Sequence, residues 1–336
     1  MVDMANREAQ GPVWGDMVGS SPALQELLHQ IEEVAPTDVT VLIEGEPGSG
    51  KSLVAQTLHR LGRRAGRPFV RVDAAGLAEE FFDSELFGYM PGVFPEAPEV
   101  REGLAGVADG GTLFFDGIDQ LPADSQGKLA RFLDSRLVQP LGAAHPRPID
   151  VRILATSRID LRAEVRAGRF RSDLYYRLRG FLLRVPSLRD RREDLPALVT
   201  HLLSRFGTRY GKEIAGVSPA ALEALLAHPF EGNLRELENE IEQAVLRTPP
   251  GGVLLPGALP LTTASGPAGA GEVRLRQYRR EQERGMVLEA LDVTHWNVSA
   301  AARHLGLSRV GLSKKIKALG LRRPSFPLGR RRMPLA

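Results

Sequence analysis

Residues 21–35, SPALQELLHQIEEVA, repeat apolar positions at helical spacing behind a Ser-Pro start, which predicts a helix. The β-branched apolar run VTVLIEG (39–45) predicts a buried strand that ends in glycine. Helical spacing returns over 52–64. FVRVDAA (69–75), TLFFD (112–116) and VRILATS (151–157) predict three further strands. Strands that alternate with helices predict an α/β fold with a parallel sheet. Beyond Pro186 the pattern is helical, over 194–210, 218–228 and 232–247. It breaks at 249–272, a stretch rich in Gly, Pro, Ala and Thr and nearly uncharged, which predicts a linker. A helical stretch follows at 275–291, then two short helices to Leu319 and a terminal stretch, PSFPLGRRRMPLA, that reads as an unstructured tail. No internal repeat is visible.

Composition narrows the picture. A chain of 336 residues is long enough for one large and one small domain. It has no cysteine, which excludes a disulfide framework, cysteine-ligated zinc and a thiol nucleophile. The N-terminal stretch has acids and no apolar centre, so it is no secretory signal, and no run approaches the roughly 20 apolar residues of a membrane span. A cytoplasmic location is expected. The net charge of +3 is uneven: from Arg274 onward fifteen Lys/Arg face four Asp/Glu, a net of +11 against −8 for the rest. A basic end on an acidic body points to a polyanion partner, with a merely solvated basic tail as the alternative.

Gly45-Glu46-Pro47-Gly48-Ser49-Gly50-Lys51-Ser52 matches the phosphate-loop pattern G-x-x-x-x-G-K-S/T, and it stands between a predicted strand and a predicted helix. Glycines let backbone N–H groups turn in around phosphates, and the helix start adds its positive dipole end. Lys51 is expected on the β- and γ-phosphates, Ser52 on magnesium, and Leu53 in the first helical turn beside them. The apolar run Leu113, Phe114 and Phe115 delivers Asp116 as a second magnesium-side ligand. ATP and Mg2+ are the cofactors this predicts.

Near the other end, NVSAAARHLGLSRVGLSKKIKALG (297–320) has the pattern of a helix-turn-helix. Ala301, Ala302 and Leu305 suit a first packing face, Gly306 a turn, Leu307 a core plug and Ser308 a cap. Leu312, Ile316 and Leu319 repeat on the buried side of a second helix. Arg309, Val310, Ser313, Lys314 and Lys317 are left outward, as candidates for base edges and phosphates of double-stranded DNA. A plain helical hairpin with a basic face is the bland alternative.

VLIEGEPGSGK, DSELFGYMPGVF, GGTLFFDGIDQLP, RFRSDLYYRL, VPSLRDRREDLP and EGNLRELEN, in this order, resemble blocks of the AAA+ activators of sigma-54 RNA polymerase, the bacterial enhancer-binding proteins. The 297–320 segment resembles their Fis-type DNA-binding end. The resemblance spans about 18–321. It implies an α/β AAA+ P-loop domain with a helical lid and a small all-α helix-turn-helix domain. The partition expected is an N-terminal extension (1–15), the α/β core (16–185), the lid (186–248), the linker (249–272), the DNA-binding domain (273–322) and a basic tail (323–336). The family's usual N-terminal sensory domain is expected to be absent. Asp116 becomes the Walker B aspartate. Arg171 and Arg177 fall where arginine fingers reach the neighbouring subunit's nucleotide, which implies a homo-oligomeric ring, by analogy a hexamer. Arg235 falls at the sensor-II position; its alternative is a salt bridge to Glu231 or Glu238.

The chain also departs from the family pattern. Gly117 stands where the family has a glutamate that polarises water. Asp73 stands where it has an Asn, and could itself serve as a relocated acid; Asp119 is a second candidate. Ser157 replaces the sensor-I Asn. The loop Gly92-Val93-Phe94-Pro95-Glu96-Ala97 corresponds to GAFTGA, whose tip touches sigma-54, with Pro95 and Glu96 replacing its Thr and second Gly. The expectation is an ATP-binding, DNA-binding regulator in which hydrolysis and sigma-54 contact are impaired. The alternatives are a working ATPase that remodels sigma-54 polymerase, or an inactive subunit in a mixed ring.

Overall fold

The computed structural model describes residues 17–94 and 99–263 and, in the C-terminal part, Val287, Leu291, Thr294, Asn297, Val298, Ala301, Ala302, Leu312 and Ile316. Helix α1 (Pro22–Val34) starts at Ser21, whose side chain accepts from the Leu24 N–H, with proline in the first turn. Its apolar stripe of Leu24, Leu27, Leu28, Ile31 and Val34 is buried. Strand β1 (Val41–Glu44) is buried throughout and leads through the phosphate loop into α2 (Lys51–Leu61). β2 (Phe69–Asp73), β3 (Thr112–Asp116) and β4 (Arg152–Ser157) follow, with α3 (Ala123–Ser135) between the last two. Helix α4 (Ser172–Leu178) precedes a fifth strand, β5 (Phe181–Arg184), which the hydrophobic pattern did not single out.

The five strands form one parallel sheet in the order β2-β3-β4-β1-β5. Leu42 of β1 packs into one core cluster and Val41 and Ile43 into another, so both faces of the strand are covered and it reads as a continuous apolar run. The register puts Asp73 opposite Asp116 and Glu44 opposite Ser157. The carboxyl ends of the strands therefore converge beside the phosphate loop, where ligands of open α/β sheets bind.

The lid contains α5 (Leu195–Tyr210), α6 (Pro219–Ala227) and α7 (Asn233–Arg247), close to the expected helices. Its boundary needs correction. Residues 249–263 are not linker: Val253–Leu254 pairs with Gly216–Val217, and Leu254, Leu259 and Leu261 are buried with Leu198, Leu202, Leu237 and Ile241. The low charge and the prolines and glycines suggested a spacer, but the apolar residues spaced among them close the lid core. The remainder of the expected linker, 264–272, lies outside the described residues.

The chain divides into two compact units, Met1–Thr262 and Thr263–Ala336. In the second, Val287, Leu291, Ala301, Ala302 and Leu312 form a small buried cluster, with Val298 and Ile316 against it. That agrees with the packing faces expected for Ala301, Ala302, Leu312 and Ile316. Arg309, Val310, Ser313, Lys314 and Lys317 lie outside the described residues, as do the extension at 1–15 and the tail at 323–336.

Candidate nucleotide site

The phosphate loop needs its glycines. Gly48 has φ +75° and Gly50 φ +105°, in the left-handed region that L side chains rarely adopt. A Cβ on Gly48 would lie 2.1 Å from the Gly232 carbonyl oxygen of the lid. Lys51 is buried, and its ammonium donates to the carbonyls of Gly45 and Glu46 at 2.7 Å each. Burial pulls its pKa down to about 8, against the opposing pull of the Asp116 and Asp119 carboxylates. Ser52 and Leu53 lie in the first turn of α2, where N–H groups have no intrahelical acceptor. The Ser49 hydroxyl and the Arg191 Nε are buried without a partner beside this loop, and Arg191 Nη2 donates to the Ser49 carbonyl at 3.3 Å. A left-handed glycine loop, a desolvated lysine and orphaned polar atoms fit a phosphate ligand.

Asp116 ends β3 with both oxygens engaged. Oδ2 accepts from the Ser52 hydroxyl at 3.2 Å and Oδ1 from the Thr156 hydroxyl at 2.7 Å. Ser52 and Asp116 thus meet as the two protein ligands of a nucleotide-bound magnesium would. Among the described residues no group of three or more His, Cys, Asp or Glu could hold a metal ion. Thr156 was missed by sequence reasoning, because only strand pairing places it next to Asp116.

Asp73 does not touch Asp116 through its side chain. Although paired in register with Asp116, it is exposed, and its Oδ1 accepts from the Ala75 N–H at 3.2 Å, closing its own turn. The β2 residue that meets Asp116 is Arg71, with Nη2 2.5 Å from Oδ2. Gly117 is left-handed (φ +73°) and its N–H donates to Thr156 at 2.9 Å. Asp119 is held by Arg158 through Nη2 at 2.9 Å, and its other oxygen takes the Arg158 N–H at 3.1 Å. The Ser157 hydroxyl donates to the Ile159 carbonyl at 2.8 Å, within its own turn.

The lid sits directly on the loop. The Leu234 N–H donates to the Gly48 carbonyl at 3.0 Å. Asn233, buried at φ +57°, donates to the Pro47 carbonyl and to Glu46, both at 3.1 Å, and accepts from the Leu188 N–H at 2.7 Å. Glu46 also pairs with Arg189. Arg235 is exposed in the first turn of α7, its Cβ 3.2 Å from where a Gly48 Cβ would stand. Its charge contributes to the lowered pKa of Lys51. Glu238, one of its alternative partners, is taken by Arg205 at 2.9 Å. Arg171 and Arg177 lie elsewhere, at the start of and within α4, paired with Asp173 at 2.8 Å and Asp134 at 3.0 Å. In the loop that follows the short strand Gly88–Tyr89, Gly92 (φ +79°) is open, Val93 approaches Gly142, and Phe94 packs edge-on against Tyr89 at 5.3 Å. Pro95, Glu96 and Ala97 lie outside the described residues.

The family models match in chain order. Residues 17–184 match the Sigma-54 interaction domain, 189–274 the AAA+ ATPase lid domain and 278–319 the Fis family of bacterial regulatory proteins. The chain belongs to this family of sigma-54-dependent transcriptional regulators. The transcriptional regulatory protein ZraR of Escherichia coli is 44% identical over 306 residues, 89% of this chain and 68% of that protein. The response regulator PilR of Pseudomonas aeruginosa is 41% identical over 325 residues, 95% and 73% of the two chains. Among solved structures, NtrX from Brucella abortus in complex with ATP aligns with TM-score 0.66 and 32% identity, over 91% of this chain and 70% of that one. This family member accordingly has an AAA+ ATP-binding domain and a helix-turn-helix DNA-binding domain. The lid match to 274 agrees with the packed segment at 249–263. Among the described residues no helix is long and apolar enough to cross a membrane.

Proposed function

We propose that this regulator binds ATP with Mg2+ and uses nucleotide state to set its assembly on double-stranded DNA, with hydrolysis and sigma-54 contact impaired. The observation that carries this reading is the end of β3. Directly after Asp116 the backbone turns left-handed at Gly117 and is tied to Thr156, so no side chain projects where a water-polarising acid would follow. This reading is supported by the meeting of Ser52 with Asp116 and by Arg235 standing beside Gly48 of the phosphate loop. Loss of a positioned general base costs about a hundred- to ten-thousandfold in rate. Arg171 and Arg177 are the candidates to reach a neighbour's nucleotide in a homo-oligomer, after exchanging their present carboxylate partners. Pro95 and Glu96 in the polymerase-contact loop argue against productive engagement of sigma-54. A mixed ring with an active relative would serve the same chemistry.

A second reading, a working ATPase on sigma-54 polymerase, rests on Asp119. Its carboxylate is near enough to act on Lys51 electrostatically, but it is engaged by Arg158. Steady-state ATP turnover, measured beside nucleotide titrations at assembling concentrations, separates the two. Tight binding with negligible turnover in the natural protein supports the switch. Turnover at an ordinary AAA+ rate that collapses in Asp119→Asn establishes the motor. Gly117→Glu is the rescue variant; its unfolding curve is needed alongside, because a side chain at this left-handed position costs about 1–2 kcal/mol.

A further inference from the structure

Arg71 meets the magnesium-side acid and has no role in the reading above. It stands on β2 two residues before Asp73 and one strand away from Asp116. Its Nη2 lies 2.5 Å from Asp116 Oδ2, the oxygen that also accepts from Ser52. Oδ1 is meanwhile taken by Thr156. The guanidinium therefore occupies the oxygen that a divalent cation shared by Ser52 and Asp116 would require. Lys51 is turned onto the carbonyls of Gly45 and Glu46, away from Asp116 as a hydrogen-bond partner. Arg71 reaches the carboxylate from solvent, with its side chain 61% exposed against 19% for Asp116. A guanidinium is a fixed cation with donors only, so it and a divalent cation make competing claims on the same Asp116 oxygen.

We propose that Arg71 competes with the divalent cation for Asp116 and acts as the resident cation of the nucleotide site. The inference rests on the ATP-binding reading. It has two consequences. Metal must displace Arg71, so nucleotide binding needs more Mg2+ than Ser52 and Asp116 alone would demand. In the absence of metal, the guanidinium keeps one unit of positive charge beside the phosphates, so nucleotide still binds. The exposure of Arg71 screens the pair and limits the competition to about fivefold.

The test uses the full chain and a fluorescent ADP analogue. Affinity is measured in EDTA, then as a function of added Mg2+, for the natural protein, Arg71→Ser and Arg71→Lys. In Arg71→Ser the half-saturating Mg2+ concentration is expected to fall about fivefold while affinity in EDTA weakens severalfold. Arg71→Lys, which keeps the charge without the fork, is expected in between. A Mg2+ half-point within twofold of the natural protein in Arg71→Ser, with thermal unfolding confirming that the variant is folded, overturns the proposal. If the natural protein fails to bind nucleotide at any Mg2+ concentration and Arg71→Ser binds it, the competition stands and the ATP-binding reading falls. If neither binds, both fall.

Discussion

Lys51 shows how much a single environment changes a side chain. Burial lowers its pKa from 10.5 to about 8, yet at neutral pH the ammonium is still largely charged. A bound phosphate favours the charged form and raises that pKa. Above about pH 8 the free protein loses the proton while the complex keeps it, so binding takes up a proton and affinity falls, at most tenfold per pH unit. Below pH 8 this group leaves affinity flat. Calorimetry of ADP binding between pH 7 and 9.5, in two buffers of different ionisation enthalpy, should show proton uptake only in the upper part of the range. A flat affinity up to pH 9.5 would show that Lys51 is not the group receiving the phosphate. Gly117 is the counterpart without chemistry: its side-chain-free, left-handed geometry ends the strand and is sealed by Thr156.

At the scale of elements, Arg152 joins the layers. It is 2% exposed at the start of β4, and its guanidinium donates to the carbonyls of Val34 (3.0 Å), Ala35 (2.7 Å) and Leu58 (3.4 Å). Those carbonyls belong to the ends of α1 and α2, which have no further helical N–H to accept from. Arg152→Met keeps most of the volume and strands the Ala35 and Leu58 carbonyls, while that of Val34 keeps Thr37; a loss on the order of 2 kcal/mol is expected in denaturant unfolding. The lid supplies a second case. Leu254, Leu259 and Leu261 complete its core, so a chain ended at 248 should unfold at lower temperature than one ended at 263. Leu259→Ala in the full chain should cost about 2–4 kcal/mol. Equal melting of the two shortened chains would restore the linker reading.

At the scale of the whole molecule, two compact units divide the work, and the charge divides with them. The net +11 from Arg274 onward predicts affinity for double-stranded DNA that falls steeply with salt. A chain ended at 263 should lose DNA binding while keeping its nucleotide affinity, as read by mobility shift and by ADP titration. Retained DNA binding would place the polyanion site in the AAA+ unit instead. The contacts made by Asn233, Leu234 and Arg189 tie the phosphate loop to the lid, while Arg171 and Arg177 are paired with Asp173 and Asp134.

Legible in the chain alone were the phosphate loop, Asp116, four of the five sheet strands, the lid helices and, at the DNA-binding end, the packing of Ala301, Ala302, Leu312 and Ile316. Each is local: a glycine pattern, an apolar run or a helical period carries its own physical reason within a short window. It also placed the six family blocks in order. Only the tertiary structure decided which side chain from β2 meets Asp116. Asp73 and Arg71 share a face of one strand, but the first bonds to its own turn and the second is long enough to cross to β3. Strand pairing likewise brought in Thr156, lid docking brought in Asn233 and Arg189, and burial turned 249–263 from spacer into core. These contacts join residues far apart in the chain, and a hydrogen bond between distant residues leaves no period in the sequence to read.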